Sequence, residues 1–116
     1  AFQLLSSNLS IVLSKSDLVP YAAVTKSGHY GVINKKNKVI IPFEYDHIGE
    51  MDFYYGYIVA SKSGKTGIID TKNKVIIPFE YDSIEEVDNE NGFIGAIKSG
   101  KYGYINKENK VVIPFE

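Results

Sequence analysis

Short apolar runs alternate along this chain with polar corners that contain glycine or asparagine. In its central part, apolar and β-branched residues fill the segments 57–61, 67–70 and 75–79. Runs of this length that are rich in β-branched and aromatic residues are typical of β-strands. Gly64 separates the first two segments, and Asn73 separates the second from the third. The pattern therefore predicts three strands joined by tight turns.

The same pattern returns every 36 residues. Tyr21, Tyr57 and Phe93 open three similar segments, and the sequence Pro-Phe-Glu recurs in each of them. A fixed period of this length is the sequence signature of a repeat architecture, in which each unit buries its apolar face against the next. The chain is therefore interpreted as a single repeat domain over residues 1–116, with repeat 1 at 21–56, repeat 2 at 57–92 and a truncated repeat 3 at 93–116.

Residues 1–20 match the period weakly. A shift of one period places Leu4 and Leu5 over Ile40 and Ile41. This match favours a degenerate N-terminal part-repeat, because the ends of repeat arrays are usually atypical. A short helix is the alternative, since the leucines of this segment approach helical spacing, although the serines between them disfavour a helix.

The corner residues predict the backbone conformation of the turns. Glycine suits a positive φ angle, and asparagine is the non-glycine residue best suited to the left-handed region. The third strand of each unit is apolar on both alternating faces, which predicts burial on two sides or against a neighbouring repeat. Its proline predicts that strand pairing stops there. We expect an all-β fold of tandem three-stranded antiparallel β-meander units, in an open solenoid-like or sandwich-like stack. The corner residues are Gly28, Gly64, Gly100, Asn37, Asn73 and Asn109.

Composition narrows the classes of partner. The chain has 116 residues, a net charge of −1, 13 basic residues that are all lysine, and no cysteine. Without arginine it lacks the forked side chain that favours phosphate and guanine contacts, so we expect no nucleic-acid partner. No apolar run reaches the length of a membrane-spanning helix. The absence of cysteine excludes disulfides and leaves the compartment open, with an exported or cell-surface location slightly favoured over the cytoplasm.

The repeated strands resemble a known family. A Gly-Ile-Ile-Asp strand at 67–70, a lysine-containing turn and Val-Ile-Ile-Pro-Phe-Glu-Tyr-Asp at 75–82 resemble the bacterial WG-repeat family. The resemblance implies a β-rich array in a bacterial protein that mediates interactions, with no established catalytic activity. Two features depart from the family pattern. The namesake Trp-Gly is replaced by Tyr30-Gly31, Thr66-Gly67 and Tyr102-Gly103, and the usual glycine before the third strand by Asn37, Asn73 and Asn109. Thr66 supplies no large ring, so we expect the middle repeat to pack differently there.

Candidate catalytic groups are few. His29 and His47 are the only histidines, and neither recurs with the period. A triad or metal role for His47 requires a geometry that sequence adjacency does not supply, so we expect exposed loop histidines. The carboxylate pairs Glu44-Asp46 and Glu80-Asp82 recur with the repeat, which favours bonding of local backbone turns over glycoside hydrolysis. We expect no catalytic residue, no cofactor and no metal site, and therefore no enzyme.

Positions that differ between repeats are the candidates for function. Phe53-Tyr54-Tyr55 in repeat 1 corresponds to Asn89-Glu90-Asn91 in repeat 2, so an aromatic cluster occurs where the next repeat has a polar turn. Exposed Tyr and Phe give large contact area at a low entropy cost, although aromatic residues of a small β protein also pack in its core. The candidate interaction surface comprises Phe53, Tyr54, Tyr55, His29 and His47.

Three functions from different classes fit these features. A non-catalytic protein–protein interaction module is favoured, because stacked repeats offer an elongated surface. A carbohydrate or cell-wall binding module at the bacterial surface is the alternative, with Tyr and Phe stacking on sugars. A small hydrolase would need a cluster of non-repeated polar groups, which the sequence does not suggest. We also expect self-association through the repeat ends, because unpaired strand groups there are open to another chain.

Overall fold

The described part of the chain is built entirely of β-strands and turns. The computed structural model describes residues 9–13 and 21–116, with side chains from residue 21 onward. No helix in these residues is long and apolar enough to cross a membrane. The strands are β1 (Leu9–Leu13), β2 (Tyr21–Lys26), β3 (His29–Asn34), β4 (Val39–Tyr45), β5 (His47–Asp52), β6 (Tyr57–Lys62), β7 (Lys65–Ile69), β8 (Val75–Tyr81), β9 (Ser83–Asp88), β10 (Phe93–Lys98), β11 (Lys101–Asn106) and β12 (Val111–Ile113).

These strands form three open antiparallel sheets of four strands each. Every sheet is a meander, in the orders β1-β2-β3-β4, β5-β6-β7-β8 and β9-β10-β11-β12. The predicted all-β fold of tandem antiparallel meander units is therefore confirmed. The sheets divide the chain at Asp46 and Asp82, earlier in each period than the divisions at 56 and 92. Leu9–Leu13 is a strand that pairs with β2, so these residues do not adopt the alternative helix, whereas Leu4 and Leu5 lie outside the described residues.

Each sheet has one strand more than the three predicted from sequence. The additional strands are β1, which pairs with β2, and β5 and β9, which pair with β6 and β10. In β5, Ile48 lies opposite Ala60 and Met51 opposite Ile58, so one extra residue of β5 is accommodated in a bulge. A bulge interrupts the alternation of two that identifies a strand. For this reason β5 and β9 were not predicted from the sequence.

The turns have the predicted left-handed residues. Asn37, Asn73 and Asn109 have φ angles of 63°, 67° and 63°. Gly28, Gly64 and Gly100 also have positive φ, and so do the serines that precede them, at 52°, 55° and 53°. Two consecutive positive φ angles define the type I′ hairpin turn, whose twist matches that of the strands it joins. The Ser-Gly pairs are therefore two-residue hairpin turns, in which the serine conformation was not predicted.

The prediction that strand pairing stops at proline is wrong in the first two sheets. β8 continues past Pro78, because Ile77 pairs with Ile68 and Tyr81 pairs with Thr66. Four residues of β8 therefore lie opposite two of β7, and Pro78 occupies this irregularity on an edge strand. Edge strands and bulges are where proline, which lacks a backbone donor, is tolerated in sheets. The same irregularity surrounds Pro42.

The core lies between successive sheets. One buried cluster joins the first and second sheets, and another joins the second and third. Ile41 and Ile77 are fully buried at these two junctions, whereas the equivalent Ile113 is 50% exposed. Val75 is 49% exposed, so the two-sided burial predicted for the third predicted strand is wrong at its start. Each junction is thus an apolar sheet-on-sheet contact, as expected of stacked repeats.

Candidate functional site

A network of polar side chains joins each sheet to the next. Tyr45, at the end of β4, donates its hydroxyl hydrogen bond to Asn73 Oδ1 in the β7–β8 turn. Asn73 Nδ2 donates to Glu44 Oε1 at 3.2 Å. Lys62 Nζ lies 4.0 Å from Glu44 Oε1 and 5.5 Å from the centroid of the Tyr45 ring. We call this set of four residues the junction network.

The junction network is repeated one period later. Tyr81 donates to Asn109 Oδ1 at 2.5 Å, and Asn109 Nδ2 donates to Glu80 Oε1 at 3.2 Å. Lys98 Nζ lies 3.7 Å from Glu80 Oε1 and 5.4 Å from the centroid of the Tyr81 ring. Burial, together with the adjacent Glu80 carboxylate, raises the pKa of Tyr81 to about 12. The repeated glutamates therefore hold sheets together rather than flanking a cleft.

The repeated aspartates bond a distant turn, not the local one that was predicted. Asp82 Oδ2 accepts from the backbone N–H of Gly100 at 3.0 Å, and Asp82 Oδ1 accepts from Lys65 Nζ at 3.0 Å. The Gly100 hydrogen bond and then the Lys65 ammonium hold the pKa of Asp82 below its usual range. Asp46 makes the equivalent, longer contact of 3.4 Å with Gly64 N. Local turns are instead bonded by other side chains, namely Asn34, Asp52, Asp70, Asp88 and Asn106.

Phe53, the first residue of the predicted aromatic cluster, is partly buried. Its ring stacks on that of Tyr21, with centroids 3.9 Å apart and planes inclined by 7°. Both rings pack against the core cluster between the first and second sheets. Phe53 therefore contributes to packing, as the alternative interpretation of the aromatic residues expected, and is less exposed than Tyr54 and Tyr55.

Tyr54 and Tyr55 project from the β5–β6 turn into solvent. Tyr54 is 88% exposed and Tyr55 53% exposed, and their rings meet edge to face at 4.9 Å. Asp52 Oδ1 accepts from the backbone N–H groups of Tyr54 and Tyr55 at 3.0 and 2.9 Å, and Gly56 completes the turn at a φ of 81°. The backbone under the two rings is therefore fixed by local hydrogen bonds.

The same turn is formed one period later with different side chains. Asp88 Oδ1 accepts from the N–H groups of Glu90 and Asn91, both at 3.1 Å, and Gly92 has a φ of 77°. The hydrogen bonds from Asn91 and Glu90 keep the pKa of Asp88 low. The two turns thus differ in what they present to solvent and not in backbone design.

The two histidines lie apart from this tyrosine pair. His29 is exposed at the start of β3, next to the Ser27-Gly28 turn. His47 is exposed and pairs across the sheet with Ser61, near the Ser63-Gly64 turn. Tyr54 and Tyr55 lie beyond the opposite end of β6, so the five predicted residues do not form one continuous patch. The His47 ring instead packs edge-on against Tyr30, with centroids 5.2 Å apart.

A cleft between the second and third sheets was not predicted as a site. At the first junction, Tyr30 contacts His47; one period later the same two positions hold Thr66 and Ser83. Two small residues replace two rings, and a cleft of about 220 Å³ opens there. The only sign of this cleft in the sequence was Thr66, at which the middle repeat was expected to pack differently. The cleft is lined by Glu50, Val59, Ser61, Thr66, Ser83 and Ile84, with His47 at its side.

The outer face of the third sheet carries a cluster of aromatic and acidic groups. Tyr104 and Tyr102 donate to Glu86 Oε1 at 2.6 and 3.2 Å, and their rings meet at 5.5 Å. The hydrogen bond to Glu86 raises the pKa of Tyr104. The Tyr102 hydroxyl lies over Gly95, where the earlier repeats have Ala23 and Val59. Tyr104 and Gly95 thus stand on this face where the second sheet has Ile68 and Val59.

Other cavities differ in volume, and a cavity of about 460 Å³ lies beside the turn at residues 89–92. One cavity of about 80 Å³ lies between the second and third sheets, next to Tyr55 and Lys107. Small-molecule sites typically measure roughly 300–1,000 Å³. Among the side chains that the structure describes, no three His, Cys, Asp or Glu residues are grouped as a metal site would require.

The fold and its repeated junctions define a tandem β-sheet repeat protein. The WG containing repeat family matches residues 30–65, 67–102 and 102–116, and the chain belongs to this family. Thr66, the position that opens the cleft, falls between the first two matches. No curated protein and no solved structure matches the chain.

Proposed function

We propose that this chain is a non-catalytic protein-interaction module and that Tyr54 and Tyr55 are its principal contact residues. The observation that carries the proposal is the exposure of these rings, at 88% and 53%, on a turn that the next repeat builds with polar side chains. The repeated residues maintain the stack. The non-repeated residues on it are therefore the ones available for a partner.

The physics of the turn supports this role. Tyrosine buries a large area on binding and has few rotatable bonds, so it is enriched among the residues that dominate binding energy. The Asp52 hydrogen bonds already fix the backbone beneath both rings. A partner therefore meets a preorganised pair of rings, which lowers the entropy cost of association.

A carbohydrate or cell-wall ligand is the second candidate, and the Tyr102-Tyr104-Glu86 cluster favours it. Tyr102 is 39% exposed beside a carboxylate, which combines a stacking surface with a hydrogen-bond acceptor. Sedimentation with purified peptidoglycan tests this candidate. We expect Tyr102→Ala to abolish co-sedimentation if glycan is the ligand. If the wild-type chain does not co-sediment with peptidoglycan, the carbohydrate candidate is eliminated.

The protein-interaction proposal is tested by affinity capture from a bacterial lysate with three forms of the chain. The first is wild type, and the second is Tyr54→Glu/Tyr55→Asn, which introduces the residues of the equivalent turn at 90 and 91. The third is the control, Glu90→Ala/Asn91→Ala. Circular dichroism establishes that all three are folded.

We expect a protein that is retained by the wild type and the control but lost with the tyrosine variant. That protein, once purified, should bind the tyrosine variant at least about tenfold more weakly, which corresponds to about 1.4 kcal/mol. Equal retention by all three forms would contradict the proposal.

A further inference from the structure

The cleft between the second and third sheets occupies the place of two rings. At the equivalent position of the first junction, Tyr30 packs edge-on against His47 at 5.2 Å. In the third sheet, the residue equivalent to Tyr30 is Tyr102, so both flanking repeats carry a tyrosine there. Only the middle repeat has Thr66. The cleft is thus the space that a tyrosine ring fills elsewhere in the same molecule.

The size and walls of the cleft suit one aromatic ring. Its volume is about 220 Å³, and Val59 and Ile84 supply apolar wall. An apolar cavity of roughly 150 Å³ is known to admit benzene, so one phenol ring fits. On the polar side, the Ser61 and Thr66 hydroxyl groups share a hydrogen bond of 3.0 Å.

The third sheet shows where the hydroxyl of such a ring would bond. Tyr102 donates to Glu86 Oε1 at 3.2 Å. Glu50 is the residue one period before Glu86, and it lines the cleft. Glu50 already accepts from Tyr57 at 2.6 Å, and a carboxylate can accept several hydrogen bonds at once. The cleft therefore combines apolar walls with an acceptor at the position that serves tyrosine in the next repeat.

We propose that this cleft binds a tyrosine side chain of a partner protein, with the phenol hydroxyl donating to Glu50. The inference deepens the proposed interaction function, because it names the side chain that the partner contributes. It concerns the Ser61 end of the second sheet, away from Tyr54 and Tyr55. The partner would thus supply in trans the ring that Tyr30 and Tyr102 supply within the chain.

The test uses p-cresol, the tyrosine side chain itself, titrated into the isotope-labelled chain and followed by the NMR methyl signals of Val59 and Ile84. We expect saturable shifts of these signals, and weaker binding of toluene, which lacks the hydroxyl. Thr66→Tyr places the ring within the chain and should reduce the affinity for p-cresol at least roughly tenfold. Ser83→His closes the cleft from the opposite sheet and serves if Thr66→Tyr fails to fold. Lys72→Tyr, which adds a tyrosine at an exposed turn, is the matched control and should bind as the wild type does.

Three results would overturn the inference. They are shifts that do not saturate, unchanged p-cresol affinity in Thr66→Tyr and Ser83→His, and tighter binding of N-acetylglucosamine than of p-cresol at the same signals. The titration requires no partner. Its failure is therefore distinct from the failure of the capture experiment, which depends on Tyr54 and Tyr55.

Discussion

Gly67 packs directly against the backbone of the neighbouring strand. A Cβ at this position would meet the Ile77 carbonyl oxygen and lie 2.8 Å from that of Pro78. Gly31 is in the same situation, with 2.6 Å to the Ile41 carbonyl oxygen. The glycine of the repeat's two-residue signature is therefore explained by a close backbone approach beside the proline irregularity.

Gly67→Ala should consequently lower the free energy of unfolding by about 2–3 kcal/mol, because backbone atoms have to shift to admit the methyl group. Gly95→Ala is the control. Its Cβ would meet the Tyr102 hydroxyl, the far end of a partly exposed side chain that can rotate away. Urea denaturation of both variants measures the difference, and an equal loss in the two would contradict this explanation.

Asp82 makes stability depend on pH in the acid range. Its pKa is lowered in the folded state by the Gly100 N–H and the Lys65 ammonium. The resulting stability is present above the unfolded pKa of about 3.9 and is lost as the pH falls through the folded value. Asp82→Asn should therefore be less stable than the wild type at pH 7, with the difference closing below about pH 4. Urea midpoints across this range test the sign, and a difference that grows on acidification would refute it.

Strands and turns could be predicted from the sequence where its signals are regular. The run at 57–61 lies within β6, and the run at 67–70 overlaps the second half of β7. The asparagine turns have the expected conformation. β5 and β9 were not predicted, because a bulge breaks their alternation. Strand pairing was expected to stop at the proline of the third predicted strand, since a single sequence does not show that β4 and β8 are edge strands.

The β7–β8 turn shows what the junction network contributes to stability. Asn73 combines a left-handed backbone with side-chain bonds to Tyr45 and Glu44. Asn37 has the same backbone, but its buried Oδ1 accepts no hydrogen bond from the residues that the structure describes. Asn73→Gly should therefore cost about 1–2 kcal/mol more than Asn37→Gly, since glycine keeps the turn and removes only the side-chain bonds. Chemical denaturation of the two variants measures this, and equal stabilities would show that the junction network contributes nothing.

The junction tyrosines Tyr45 and Tyr81 couple the three sheets into one molecule. Burial and the adjacent glutamates raise the pKa of Tyr45 and of Tyr81 to about 12. An unfolded tyrosine titrates near pH 10. The stability that each folded, protonated tyrosine contributes is therefore present below about pH 10 and is lost as the pH rises towards 12. Tyr81→Phe should be less stable than the wild type at pH 8 and lose less stability between about pH 10 and 12. Thermal unfolding across this range tests it, and parallel curves would contradict the coupling.

The candidate site was predicted only in part, because residue type does not determine exposure. Tyr54 and Tyr55 face solvent, whereas Phe53 stacks on Tyr21, a residue of another sheet. The contact between Phe53 and Tyr21 depends on how the two sheets stack, which the sequence does not show. The cleft could be recognised only by comparing the two junctions. Tyr30 and His47, like Thr66 and Ser83, lie on different strands, and the sequence alone does not show that they meet.

We expect non-repeated side chains on the repeated stack to contact a protein partner. NMR chemical-shift mapping with the captured partner identifies the side chains that make this contact. We predict that the shift changes centre on residues 53–56, with a second group around Thr66. Shift changes confined to repeated positions, such as the turns at Asn73 and Asn109, would contradict the claim.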